Sequence, residues 1–148
     1  MRSEYQILLS SAVKLGDSAT ASGERYTDDF VLPDNFINTE PCIIMCKTRG
    51  CNGYGKLYFN YDGSDDSHQV RDILEPHNGE TNDEWMTDLA IVGTGLLKPG
   101  SNDIYIFAFS PAGSDDIDDF HIDNIVLWYK CAEPRIRWWP FWRNWFPR

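Results

Sequence analysis

The sequence predicts an all-β protein: an antiparallel two-sheet β-sandwich of the jelly-roll kind, with an extended C-terminal tail. Three observations carry this. Apolar residues recur in runs of strand length without a 3.6-residue stripe. Clusters of Gly, Pro, Asp, Asn and Ser separate the runs. Roughly eight runs suit two packed antiparallel sheets. The 148 residues are enough for one hydrophobic core. The expected organisation is a sandwich domain at 1–131 and a tail at 132–148.

The runs are 4–9, 25–32, 42–47, 54–61, 69–74, 84–92, 103–110 and 120–129. The first overlaps an apolar stretch, Ile7 to Val13, that is short and preceded by Glu4, so it reads as a strand rather than an export signal. In the fourth run, alternation puts Tyr54, Lys56, Tyr58 and Asn60 on one face and Leu57, Phe59 and Tyr61 on the other. The seventh, with Ile104, Ile106 and Ala108 interleaved with Tyr105, Phe107 and Phe109, is apolar on both faces, as expected of a central strand. In the last, strict alternation groups Phe120, Ile122, Asn124, Val126 and Trp128 against His121, Asp123, Ile125, Leu127 and Tyr129. It begins half polar and ends apolar on both faces.

The formal charge is −10, from 13 Lys+Arg and 23 Asp+Glu. Such acidity excludes a generic nucleic-acid binder, whose affinity comes mainly from neutralising phosphates. The charge is unevenly spread: residues 1–130 hold 9 basic and 22 acidic side chains, a net of −13, while 131–148 carry +3. No stretch approaches the roughly 18–20 apolar residues that span a bilayer.

Four cysteines allow three disulfide connectivities. Cys46–Cys51 would form a small loop. Cys42–Cys131 would be a long staple closing about 90 residues, contributing on the order of 4–5 kcal/mol if unstrained. Free buried thiols and a four-thiolate zinc site are the competing readings, the second lacking paired knuckles. Disulfides would place the protein in an oxidising compartment, extracellular or at the cell surface.

The segment Asp118-Asp119-Phe120-His121-Ile122-Asp123-Asn124-Ile125-Val126-Leu127, followed by Cys131, resembles the closing strand of extracellular jelly-roll modules. These are the MAM adhesion domains and the galactose-binding-like carbohydrate modules. Gly55-Lys56-Leu57-Tyr58-Phe59 and the Trp85 run are similar to further pieces of such domains, so the resemblance covers about residues 40–131. It implies a secreted, non-enzymatic recognition or adhesion module, often calcium-stabilised.

Asp62, Asp65 and Asp66 lie in one turn, and Asp115, Asp116, Asp118 and Asp119 in another. Calcium takes six to eight hard oxygen ligands, which such loops can supply, with Asp123 as a strand-borne candidate. Solvated turns explain the same residues. Catalysis finds little support. The three histidines have no metal-type spacing, and no nucleophile elbow or phosphate-binding Gly loop appears. No enzyme is expected, and no cofactor beyond a structural calcium.

The most specific feature is the tail. Arg135, Arg137, Arg143 and Arg148 accompany Trp138, Trp139, Phe141, Trp142, Trp145 and Phe146, and Pro134, Pro140 and Pro147 forbid a continuous helix. The composition resembles Trp/Arg/Pro-rich antimicrobial peptides of the indolicidin and tritrpticin kind. Trp and Arg suit anionic membrane interfaces, and they are equally the preferred anchors of protein interfaces. The tail could cover its own sheet, dock on a neighbouring copy, or contact membrane or glycan. The function these features favour is a non-catalytic extracellular structural or adhesion subunit. It would self-associate as a homo-oligomer by docking its tail on a neighbour, in a ring or filament. A calcium-dependent carbohydrate-binding module and a membrane-active defence protein are the alternatives.

Overall fold

The structure is a computed structural model. It describes residues 1–16, 25–50, 54–63, 66–71, 73–74, 84–109 and 120–133. Among the described residues nine strands follow in chain order: β1 (Arg2–Leu9), β2 (Val13–Leu15), β3 (Arg25–Leu32), β4 (Cys42–Arg49), β5 (Tyr54–Phe59), β6 (Gln69–Val70), β7 (Met86–Val92), β8 (Gly100–Phe109) and β9 (Phe120–Cys131). A 3-10 turn at Asp66–His68 precedes β6.

All strand pairs are antiparallel. The larger sheet has the order β1-β9-β4-β7, with β2 also on β9, and the smaller has β3-β8-β5-β6. β1 and β2 pair with successive stretches of β9, Ile125 to Cys131 and then Phe120 to Ile122. Together they act as one interrupted edge strand. Counted so, the described residues hold eight strands, and successive ones alternate between the sheets except β5 and β6. That is the jelly-roll arrangement. No helix among the described residues is long and apolar enough to cross a membrane.

The core lies between the sheets. Leu9, Ile44, Val92, Phe120, Ile122, Ile125 and Leu127 enter from the larger sheet. Phe30, Leu32, Leu57, Phe59, Ile104 and Ile106 enter from the smaller. The two strands with the strongest apolar patterns are interior, β8 between β3 and β5, and β9 between β1 and β4.

Four details depart from the sequence reading. β2 was not expected; three residues are too few for a period to register. The 69–74 run is strand only at Gln69–Val70, and it closes with Leu74 at a left-handed φ of 61°. In β9, Asn124 has φ 50°, and the pairing with β4 shifts across it, between Asp123 and Val126, while the pairing with β1 shifts beside it at Ile125–Val126. The β-bulge at Asp123–Asn124 reverses the alternation, so Ile122 and Ile125 are both buried, while Val126 and Trp128 turn outward. Asn60, with φ 51°, does the same after β5, as described below.

Candidate functional site

Tyr58 of β5 lies opposite Tyr105 of β8, and Lys56 opposite Phe107. The intervening residues Leu57, Phe59, Ile104 and Ile106 are buried in the core. Tyr58, Tyr105, Phe107 and Lys56 therefore occupy the outer face of the smaller sheet.

Tyr61 joins them, contrary to the expected alternation, because of Asn60. Asn tolerates the left-handed conformation better than most residues, and here its side chain is held by three partners. Its Nδ2 donates to the Leu96 carbonyl at 2.8 Å and to Asn102 Oδ1 at 3.0 Å, and its Oδ1 accepts from the Asp103 amide at 3.1 Å. The Asn60 amide also donates to the Asp103 carbonyl at 2.9 Å. With Asn60 turned toward this network, the next residue swings back over the outer face.

The four rings form one cluster. Centroids of Tyr61 lie 4.6 Å from Tyr58, 5.4 Å from Phe107 and 5.9 Å from Tyr105. Tyr58 and Phe107 meet edge to face at 5.5 Å, while Tyr105 and Phe107 stand nearly parallel, 6.3 Å apart. Edge-to-face and offset arrangements are the favourable ones for aromatic quadrupoles. Tyr58 is buried beneath the others, whereas Tyr61, Tyr105 and Phe107 are half-buried and contribute the accessible surface.

Polar groups flank the rings. On one side the Tyr58 hydroxyl donates to Asp66 Oδ1 at 2.7 Å, and Lys56 Nζ donates to both Asp66 oxygens at 3.2 Å. These bonds hold the Asp66 carboxyl below its ordinary range. Burial first, and then the Asp66 carboxylate, push the Tyr58 phenol well above its own. On the other side, β3 sets Arg25 opposite Phe107, Thr27 opposite Tyr105 and Asp29 opposite Asp103. Arg25, Thr27 and Asp29 are exposed. Half-exposed ring faces bordered by hydroxyl, carboxylate and cationic groups can stack on a ligand's apolar faces and hydrogen-bond its periphery.

The residues singled out from the sequence are distributed differently. Among the described residues, no three His, Cys, Asp or Glu side chains are grouped to hold a metal ion. Asp62 is exposed after β5, and Asp66 is engaged by Tyr58 and Lys56. Asp123, on the other sheet, accepts from the Asn124 amide at 2.7 Å and side chain at 3.0 Å. Asp65, Asp115, Asp116, Asp118 and Asp119 lie outside the described residues, as do the tail positions Arg135, Arg137, Trp138, Trp139, Phe141, Trp142, Arg143, Trp145, Phe146 and Arg148, and Cys51 of the small disulfide loop.

Cys42 and Cys131 are buried with free thiols, not bonded to each other. The β4–β9 register runs Ile43 opposite Trp128. Continued by a residue, it puts Cys131 diagonal to Cys42, where Cα atoms are about 7–8 Å apart, at or past the limit for a disulfide of roughly 7 Å. Burial raises both thiols, Cys42 to about 11. His68 Nδ1 lies 3.0 Å from the Phe59 carbonyl, and the His121 ring rests on Trp85 at 6.4 Å, so both serve local packing.

The sequence alone does not single out the aromatic face, because Tyr105 and Phe107 beside Ile104, Ile106 and Ala108 equally fit a strand covered on both sides. The available signal was the pairing of two i, i+2 aromatics on a strand whose other face is plainly aliphatic.

No family model matches the chain, and neither does any curated protein. The solved structures similar to this chain include the following two. One is a carbohydrate-binding module of Cellvibrio mixtus lichenase 5A, in complex with cellotriose, at 18% identity and a TM-score of 0.45, covering 86% of this chain and 91% of that one. The other is a β-porphyranase of glycoside hydrolase family 86 from Bacteroides plebeius, at 14% identity and a TM-score of 0.48. It aligns with 83% of this chain, but only 21% of its own length takes part.

Proposed function

We propose that this protein is a non-catalytic carbohydrate-binding module acting outside the cell or at its surface, and that it binds glycan on the outer face of the smaller sheet. The observation that carries this reading is the contiguous cluster of Tyr61, Tyr105 and Phe107, half-exposed and in mutual ring contact. Sugar rings have apolar C–H faces and a polar edge, and this face offers the complement of both. The rings would stack, and Thr27, Asp29, Asp103 and Arg25 would bond hydroxyls. The likeness to a carbohydrate-binding module concerns the fold; the ligand reading rests on the rings.

Affinity electrophoresis through gels containing soluble β-glucan, xylan or galactan tests it. The wild-type protein should be retarded by at least one polysaccharide. Tyr105→Ala and Phe107→Ala should each weaken retardation roughly tenfold or more, as expected for losing a principal aromatic anchor. Unchanged retardation in both, with folding intact, would sink the reading. A chelator arm tests the acidic residues Asp62, Asp65, Asp66, Asp115, Asp116, Asp118 and Asp119. Loss of retardation restored by calcium would add an ion to the proposal, and no change would leave the rings as the whole site.

A further inference from the structure

The larger sheet has an outer face that its alternation should have made polar. Instead the register assembles two apolar rows across all four main strands. Tyr5, Trp128, Ile43 and Ile91 form one, and Ile7, Val126, Met45 and Leu89 the other. Ile91 is 69% exposed, Tyr5 65%, Leu89 59% and Ile7 55%. Polar rows bound this belt at both ends, Ser3 and Lys130 at one, Asp123, Lys47 and Thr87 at the other. An apolar centre with a polar rim is the anatomy of an interface.

We infer that this belt is the seat of the chain's own C-terminal segment, residues 134–148, bound within the same molecule. Three arguments select that occupant. The first is size. Four strands about 4.8 Å apart and two rows about 7 Å apart make on the order of 300 Å². A stable face-to-face dimer needs about 800 Å² per partner, of which roughly 450–500 Å² is apolar, so a second copy is under-supplied. The second is reach. The segment leaves from β9, in the interior of this sheet. Ala132 is held there by Asn35, whose carbonyl accepts from its amide at 2.8 Å and whose side chain donates to its carbonyl at 2.6 Å. Trp128 is five residues before Glu133, roughly 17 Å along the strand, while fifteen extended residues reach about 50 Å. The third is composition. Ile136, Trp138, Trp139, Phe141, Trp142, Trp145 and Phe146 supply the apolar area the belt lacks. Attachment to the same chain gives them an effective concentration near millimolar, without the entropy of bringing two molecules together.

The test uses the full chain with a photo-reactive p-benzoylphenylalanine at Ile91, and at Val31 on the other sheet as control. Irradiation should join position 91 to peptides within 136–146 in a monomer-sized band, at least about tenfold more than from position 31. In a second measurement, replacing Trp138, Trp139, Trp142 and Trp145 with Ser should raise binding of an apolar fluorescent dye several-fold. Cross-links found only in a dimer-sized band, cross-links that avoid 136–146, or unchanged dye binding would each overturn the inference. This proposal uses the opposite sheet from the glycan face and stands or falls without it.

Discussion

Asn60 and Asn102 are joined side chain to side chain across β5 and β8, Nδ2 to Oδ1 at 3.0 Å. Asn102 is itself buried, accepting from the Lys98 amide at 3.0 Å and donating to the carbonyls of Lys98 at 2.8 Å and Gly100 at 2.9 Å. The pair ties the 96–102 turn to the residue that swings Tyr61 outward. Asn60→Ala would remove three side-chain bonds and put a Cβ-bearing residue at φ 51° without compensation. A loss of about 2–3 kcal/mol is expected in urea unfolding. Asn60→Gly keeps the backbone and should cost less than Asn60→Ala. If Ala proves the milder change, the left-handed turn does not matter here.

The Tyr58–Asp66 bond predicts opposite behaviour at the two ends of the pH scale. Asp66 has a lowered folded pKa, so its contribution is present above the unfolded value near 3.9 and is lost as pH falls through the folded one. Tyr58 has a raised folded pKa, so its contribution is intact below about pH 10 and declines as alkali begins to ionise the unfolded phenol. Melting temperatures of wild type and Asp66→Asn should converge on acidification between about pH 5 and 2. A constant gap across that range would refute the assignment. Tyr58 should be among the last tyrosines to ionise in an absorbance titration.

Cys42 and Cys131 should be inert in the native protein. With the Cys42 thiol raised to about 11, only about one part in a thousand is thiolate at pH 8. Iodoacetamide should label both positions only after denaturation, and a non-reducing peptide map should contain no 42–131 bridge. Rapid native labelling would contradict the burial seen here.

Gly55 sits on the inner face opposite Ala108, and its amide donates to the Leu74 carbonyl at 3.3 Å. A Cβ there would lie 2.9 Å from Leu74 Cβ and 3.3 Å from the tip of Phe120. Gly55→Val should destabilise by about 1–3 kcal/mol through overpacking. Gly55→Ala, which adds the Cβ without the two γ carbons, should cost less than Gly55→Val, and an equal or larger loss for Ala would show that side-chain volume on this face is not the cause.

Much of the fold was legible because strand signals are local. The runs containing β1, β3, β4, β5, β7, β8 and β9 announce themselves through apolar residues and turn chemistry, and the interior positions of β8 and β9 through apolar residues on both faces. Faces were less legible. Two asparagines, Asn60 and Asn124, each take one left-handed residue and so reverse a period-two pattern. The reversal at Asn60 placed Tyr61 wrongly on the core side, and the one at Asn124 paired Ile125 with Asp123 instead of Ile122. A pattern of alternation carries no mark of where it will be interrupted, since Asn serves equally well in an ordinary strand edge or turn.

By itself the sequence determined the class: an acidic, all-β, two-layer domain of jelly-roll type, with its strands nearly where the runs place them. Hydrophobic periodicity and turn residues act over a few neighbours, and a linear chain displays them in full. Only the tertiary structure decided which outward residues meet. The Tyr58–Tyr61–Tyr105–Phe107 cluster joins β8 to β5 and the turn after it, from positions more than forty residues apart, and the apolar belt from Tyr5 to Ile91 joins four strands. Those meetings depend on register between strands distant in sequence, set by bulges and by the packing of the opposite face.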